Sequence, residues 1–250
     1  MREVRQLELG GSARISYMQT AFQSPVSVVF FGGFMSDMSS TKASRLFEYC
    51  TSHKINCTVF DYVGHGSSSG EFKECAISDW YASCVSVVES LTSGPIVIVG
   101  SSMGGWLMLL TCISHGKRVH GLVGMASAPD FTESLGLSEA QHEEILRTGE
   151  TVKHSGDCRY VITKNLIDDG KNHLLLNKKE IAVECPVVLI HGMDDIVVPY
   201  QTSLAIAEKV KSRDVNVCLI KNGDHHLVDK HSLGLMLEAV GGLTRRPTST

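Results

Sequence analysis

Gly100-Ser101-Ser102-Met103-Gly104-Gly105 follows the apolar run Pro95–Val99 and precedes a second apolar run, Trp106–Leu110. This is G-x-S-x-G between a strand-like and a helix-like segment, the spacing that exposes a serine on a strained turn at the start of a helix. The flanking glycines let the chain pass close to itself, and the helix N-terminus favours developing negative charge. Ser102 is therefore the candidate nucleophile, and Ser101, one place early, is structural. A serine hydroxyl attacks a carbonyl only when a base takes its proton and an acid orients that base. In this arrangement the acid and then the histidine follow the serine along the chain. His191-Gly-Met-Asp-Asp-Ile-Val-Val-Pro199 and Asn222-Gly-Asp-His-His226 each close an apolar run. They supply Asp195 as the acid, and His225 or His226 as the base.

Several neighbours compete for these roles. Asp194 adjoins Asp195 and reads as a solvated or helix-capping residue. Asp130 lies just beyond an earlier apolar run, but chain order favours Asp195. His65 and His191 read as structural residues of turns or strand ends. A tetrahedral intermediate needs two N–H donors. One is the amide of Met103, directly after the nucleophile. The other is expected from Phe31-Gly-Gly-Phe-Met35, where two glycines let the main chain turn inward and Phe34 is the chosen donor. Only backbone is required of Phe34 and Met103. The remaining histidines lack metal-ligand spacing such as H-E-x-x-H, and the eight cysteines contain no C-x-x-C pair, so no metal or cofactor is expected.

These residues need elements to hold them. Val4–Leu9 and Ala13–Thr20 flank Gly10-Gly11 and read as a β-hairpin. The short apolar runs Val26–Phe31, Cys57–Tyr62, Pro95–Gly100, Gly121–Ala126, Pro186–His191 and Val215–Lys221 suit strands of a parallel sheet buried on both faces. Between them, Ile77, Trp80, Tyr81, Cys84, Val87, Val88 and Leu91 keep a three/four spacing, as do Ala43, Leu46, Phe47 and Cys50, and later Leu204, Ala207 and Val210. Each set forms one apolar helix face, and alternation of strand and helix predicts an open α/β sheet. Trp80 and Tyr81 belong to that core stripe.

The rhythm breaks between about Pro129 and Glu184. No strand is evident there, while Glu139–Thr148 and Arg159–Asp168 look helical, so a small helical lid over the strand ends is expected. Within it Val152–Cys158 and the Lys178-Lys179 pair are candidates for contact with an anionic group, though a solvated face is the favoured reading.

The chain has 250 residues, 43% hydrophobic and 20% charged, enough for one domain carrying an insertion. Its net charge of −4, with no basic stripe, argues against nucleic acid as a partner. No apolar run reaches the roughly 18 residues of a membrane span. The opening residues Met1–Glu8 carry acids and no apolar core, unlike a secretory or transit segment, which makes the cytoplasm the expected compartment. The scattered cysteines, several within apolar runs, read as buried free thiols of a reducing environment. The tail from Thr244 to Thr250 is expected to fray.

Taken together, these motifs resemble the α/β-hydrolase superfamily over nearly the whole chain. Asp61–Gly70 is similar to the family's structural loop after its fourth strand. His191–Pro199 matches its H-G-x-x-D-x-x-V-P pattern, and Gly223-Asp224-His225 its histidine loop, which favours His225 over His226. Phe34–Ala43, Val99–Leu109 and His191–Pro199 further resemble the abhydrolase branch of the mitochondrial palmitoyl-protein thioesterase that also cleaves mycophenolic acid acyl-glucuronide. His226 stands where that branch is expected to carry arginine. The resemblance implies an α/β-hydrolase fold, a mostly parallel sheet with helices on both faces. It also implies a serine hydrolase of the carboxylesterase or acyl-thioesterase type without a cofactor. The expected partner is a small-molecule ester or thioester, or an acylated protein. Activity would rise with pH near the unperturbed histidine value of about 6.5. Aminopeptidase, C–C hydrolase and acyltransferase chemistry, or a non-catalytic small-molecule binding protein on the same scaffold, are the alternatives.

Overall fold

Valine and isoleucine dominate the short apolar runs because β-branched side chains pack well on a pleated surface. In the computed structural model, which describes residues 3–155 and 158–248, these runs are strands. β1 (Arg5–Gly10) and β2 (Ala13–Gln19) form the expected antiparallel hairpin, with Gly10 and Gly11 at positive φ in its turn. β3 (Ser27–Phe31), β4 (Asn56–Phe60), β5 (Ile96–Ser101), β6 (Val119–Met125), β9 (Val187–Gly192) and β10 (Val215–Ile220) are mutually parallel. The eight strands lie in the order β1-β2-β4-β3-β5-β6-β9-β10.

Every residue of β3 and β5 is buried, as a sheet covered on both sides requires. Alternate side chains serve opposite cores. Val29, Phe31, Ile96 and Ile98 join one cluster with α2 (Ile77–Leu91) and α3 (Met103–His115). Val28, Phe30, Val97 and Val99 join the other with α1 (Thr41–Ser52) and α7 (Lys230–Thr244). α6 (Gln201–Lys209) places Ile206 in the first cluster. The α1 and α2 stripes read from sequence are thus the faces that dock on the sheet, whereas on α6 Leu204 is exposed and Ser203 and Ile206 are the buried residues. Trp80 is fully buried, while Tyr81 is half-buried with its hydroxyl donating to Ser114.

The segment between β6 and β9 differs from expectation. α4 (Glu139–Thr148) lies where the sequence places it, but β7 (Glu150–Ser155) and β8 (Cys158–Thr163) follow as an antiparallel pair. Arg159–Thr163 is therefore strand, and the helix α5 (Lys164–Gly170) begins only after it. Tyr160, Val161, Ile162 and Thr163 are aromatic or β-branched and favour an extended chain. Thr163 then caps α5 by accepting the Leu166 amide at 3.1 Å. The insertion is mixed helix and hairpin, not purely helical. Asp130 anchors its return, accepting the Leu175 amide at 2.8 Å and the Leu176 amide at 2.7 Å.

Seven cysteines are free thiols, five of them buried. The Cys158 side chain, Gly156 and Asp157 fall outside the described residues, as do Met1, Arg2, Ser249 and Thr250. Thr244 is the last residue of α7, and Arg246 pairs with Asp214 beyond it. No described helix is long and apolar enough to cross a membrane.

Candidate active site

Parallel strands bring their carboxyl ends to one edge of the sheet, where ligands of open α/β sheets bind. The loops after β3, β5, β6, β9 and β10 carry Phe34, Ser102, Asp130, Asp195 and His225 respectively. Ser102 caps α3 with φ 54° and ψ −119°, a strained left-handed-side conformation that lifts its side chain off the strand. Close packing explains the glycines around it. A Cβ at Gly100 would lie 2.5 Å from the Gly104 carbonyl oxygen, and one at Gly104 would collide with the Phe31 and Gly32 carbonyls. The Ser102 amide donates to Met125 (2.9 Å), and its carbonyl accepts the amides of Gly105 (2.8 Å) and Ala128 (3.0 Å). The turn is locked to β6 and to its own helix.

The three side chains converge. Ser102 Oγ lies 3.0 Å from His225 Nε2, and His225 Nδ1 lies 2.7 Å from Asp195 Oδ2. Asp195 Oδ1 accepts the Val197 and Val198 amides, both at 2.8 Å. Burial pushes the Asp195 carboxyl upward, but hydrogen bonds from His191 and His225, the His225 charge and the Val198 amide outweigh it. Asp195 is held well below the usual carboxylate range and stays ionised.

The competing residues lie apart from this chain. Asp194 is exposed, its amide donating to Gly223 at 2.9 Å. Both Asp130 oxygens are engaged by the Leu175 and Leu176 amides. His226 is exposed, and its carbonyl accepts Lys42 Nζ. Ser101 is a buried strand residue.

Phe34 and Met103 bracket the space beside Ser102, and among the described hydrogen bonds neither amide has an acceptor. Met103 is the first residue of α3, whose leading N–H groups lack intrahelical partners. The Phe34 ring packs against Phe72, Trp80 and Phe131 at centroid separations of 5.1, 5.7 and 5.5 Å, and stacks on Tyr160 of β8 at 6.1 Å. A single aromatic cluster thus ties the loop after β3 to the insertion.

A cleft of about 1130 Å³ opens over Ser102 and His225. Apolar side chains of Phe34, Phe131, Leu135, Tyr160, Ile162 and Leu176 dominate one part of its lining, and Lys42, Thr202 and His226 contribute polar groups. Lys153, from the candidate anion-contact stretch, also borders it, as does the neighbouring Arg159, whereas Lys178 and Lys179 are exposed elsewhere. Among the described residues, no group of three or more His, Cys, Asp or Glu converges as metal ligands would.

Three features were not legible as site features in the sequence: the hairpin side chains, Lys42, and the bonds made by His65 and His191. For His191 the four-residue spacing to Asp195 within one motif was the available signal.

The family model described as serine aminopeptidase, S33, matches residues 24–155. The mitochondrial palmitoyl-protein thioesterase ABHD10 of Bos taurus is 36% identical over 234 residues, 92% of this chain and 76% of that protein. The solved structure of mouse alpha/beta hydrolase domain-containing protein 10 superposes with a TM-score of 0.88 at 34% identity, covering 96% of this chain and 98% of the other. A solved structure from Agrobacterium vitis S4 gives a TM-score of 0.91 at 29% identity, covering 98% of this chain and 99% of the other.

Proposed function

The chain belongs to the α/β-hydrolase superfamily, and from that premise we propose that it is a serine hydrolase cleaving carboxylic esters or acyl thioesters through an acyl-enzyme on Ser102. The observation that carries this reading is the unbroken hydrogen-bonded chain Ser102–His225–Asp195 at the floor of an apolar cleft.

In this mechanism Ser102 Oγ attacks the acyl carbonyl as His225 Nε2 takes its proton. Asp195 holds the Nδ1–H tautomer and stabilises the imidazolium that forms. The oxyanion lies against the Phe34 and Met103 amides, whose donors are otherwise unused. His225 then returns its proton to the leaving alcohol or thiol. Water, deprotonated by the same imidazole, attacks the acyl-enzyme and releases the acid.

Two features favour an acyl substrate over a peptide. The apolar lining contributed by Phe34, Phe131, Tyr160, Ile162 and Leu176 suits an alkyl or aryl acyl group. An aminopeptidase needs a carboxylate free to bind the substrate ammonium. Of the lining acids, Asp130 is already engaged by two amides, which leaves only the exposed Glu133, whose charge water and salt screen. Relatedness to a palmitoyl-protein thioesterase supports the thioester option. The insertion bearing Tyr160 serves as the lid that selects the acyl group.

Fluorophosphonate labelling of the wild type and Ser102→Ala, read by intact mass, tests this reading. One adduct on the wild type and none on the variant is expected, followed by turnover across a series of esters and thioesters. An adduct on Ser102→Ala overturns the assigned nucleophile. Tight ligand binding by a folded wild type without adduct or turnover points to a non-catalytic binding protein. Cleavage of aminoacyl amides in preference to esters assigns a peptidase.

A further inference from the structure

Asp195 is fully subscribed. An ionised carboxylate offers about four acceptor positions, and here all four are filled. Oδ1 takes the Val197 and Val198 amides, and Oδ2 faces His225 Nδ1 at 2.7 Å and His191 Nε2 at 3.1 Å. A second imidazole therefore shares the oxygen that orients the proposed base. His191 is completely buried on β9, four residues before Asp195.

Its protonation state follows from its partners. His191 Nε2 meets two acceptors, Asp195 Oδ2 and the Val198 carbonyl at 3.0 Å, so that nitrogen carries the proton. Nδ1 lies 2.7 Å from Ser203 Oγ, a buried hydroxyl on α6 that can donate to it. The Val198 peptide closes the arrangement, donating to Asp195 and accepting from His191. The chain is nearly symmetric about the carboxylate: Ser102–His225–Asp195–His191–Ser203.

We infer that His191, held as its Nε2–H tautomer by Ser203, is a positioning residue that fixes Asp195 Oδ2 toward His225 and tempers the carboxylate's pull on the His225 imidazolium. This rests on the reading of Ser102, His225 and Asp195 given above. A donor shared with Oδ2 draws charge from that oxygen, so less remains to favour protonated His225. The other charges facing this group are His225 on the loop after β10 and Lys42 on α1, the latter set against Asp224. Among the described hydrogen bonds Lys42 makes none to Oδ2, so His225 and His191 are its two donors. Loss of the His191 donor should leave Oδ2 a stronger acceptor and His225 more basic. The acid limb of activity then moves to higher pH.

The test compares wild type, His191→Phe, which removes both ring nitrogens, His191→Gln, whose amide can restore the donor, and Ser203→Ala. The pH dependence of fluorophosphonate labelling and of ester kcat and KM is measured for each. For His191→Phe the acid limb should rise by about half to one pH unit, with kcat reduced roughly tenfold and KM within twofold. His191→Gln should return the limb toward wild type, and Ser203→Ala should shift it by a smaller amount in the same direction. Unchanged limbs in folded His191→Phe and Ser203→Ala would overturn the inference. So would equal kcat losses in the Phe and Gln variants with no displacement of the limb. Should His191→Phe not fold, the Ser203→Ala limb decides alone.

A second readout is independent of catalysis. The imidazole nitrogens of Ser102→Ala, observed by ¹⁵N NMR, should show His191 protonated at Nε2 and bare at Nδ1. The opposite tautomer overturns the inference even if Ser102 is labelled. A wild type that takes no label, with the expected tautomer present, overturns the proposed function instead and leaves the hydrogen-bond assignment standing.

Discussion

The amide of Met35 donates to His65 Nε2 across 3.2 Å, so a buried imidazole in the loop after β4 props the loop that carries Phe34. Met35 has φ 57°, an uncommon conformation for a side chain of its size, and this bond helps hold it. His65 also packs edge-on to Tyr62, Phe72 and Trp80. Its Nε2 accepts, so the ring must be neutral. Burial holds its pKa down to about 4, opposed by the Val63 carbonyl.

The acid sensitivity of the fold follows from that imidazole. Its pKa of about 4 in the folded chain lies below the ordinary 6.5, so the unfolded chain binds more protons between those values. The stabilisation is fully present above pH 6.5 and is lost progressively as pH falls toward 4. Its ceiling is on the order of 3 kcal/mol. His65→Phe should flatten this part of the pH dependence. Urea midpoints at pH 7.5 and 4.5 check it: the wild type should lose markedly more stability than the variant over that span, and equal losses would sink the idea. Because Met35 adjoins the proposed oxyanion donor, His65→Phe should also slow turnover about tenfold at pH 7.5.

Gly104 is a second point at which backbone geometry decides. A methyl group there meets the Phe31 and Gly32 carbonyls, which are main chain at the end of a fully buried strand and cannot swing aside. Overpacking of this kind costs about 3 kcal/mol or more. For a chain of this size Gly104→Ala should lower Tm by roughly 6–12 °C. The displaced Phe31–Phe34 segment should reduce kcat more than it raises KM. A Tm within 2 °C of wild type, read by scanning calorimetry, would show that the loop gives way.

How much of this was readable beforehand depended on the kind of interaction. The G-x-S-x-G turn stood out because its glycines answer to steric contacts that no other residue satisfies. The sheet strands stood out because two-sided burial demands unbroken runs of Val and Ile. The β7–β8 hairpin did not. Ile162 and Leu166 imitate a helical i, i+4 pair, although Thr163 between them is where a strand ends and a helix begins. A strand with one face on a cleft also lacks the continuous apolar run of a central one. In the sequence His191 and His65 look merely structural, because a histidine's neighbours across strand-end loops are set by tertiary approach, not by spacing. Lys42 was invisible for the same reason: its ammonium reaches the His226 carbonyl from α1, far away in the chain.

The two adjacent aspartates offer a sharp comparison. Asp195 is buried with four donors, while Asp194 is exposed. Asp195→Asn keeps the shape but can present an N–H where His225 Nδ1–H needs an acceptor, favouring the wrong tautomer. A fall in kcat of about 10³–10⁴-fold is expected. Asp194→Asn should stay within twofold of wild type. Ester hydrolysis at pH 7.5 checks both, and a large loss in the Asp194 variant would reassign the acid.

Lys42 sits against the site at a cost in stability. Burial lowers its ammonium from 10.5 to about 8, opposed by the charges of Asp224 and Asp195. The folded chain therefore binds fewer protons than the unfolded chain between pH 8 and 10.5, and stability gains from this group as pH rises through that window. At pH 7 both states are protonated and the desolvation penalty is in full force. Lys42→Met keeps most of the stem while removing the charge, so it should be more stable than wild type at pH 7 by about 1–3 kcal/mol. That advantage should shrink as pH approaches 10. The same change removes the donor to the His226 carbonyl beside His225, so kcat/KM for esters should fall several-fold at pH 7 even as the fold gains stability. Denaturant titrations of both proteins at pH 7 and 10, alongside ester kinetics, check the pair of effects. A stability difference that does not vary with pH would mean that the Lys42 ammonium remains well solvated in the folded protein.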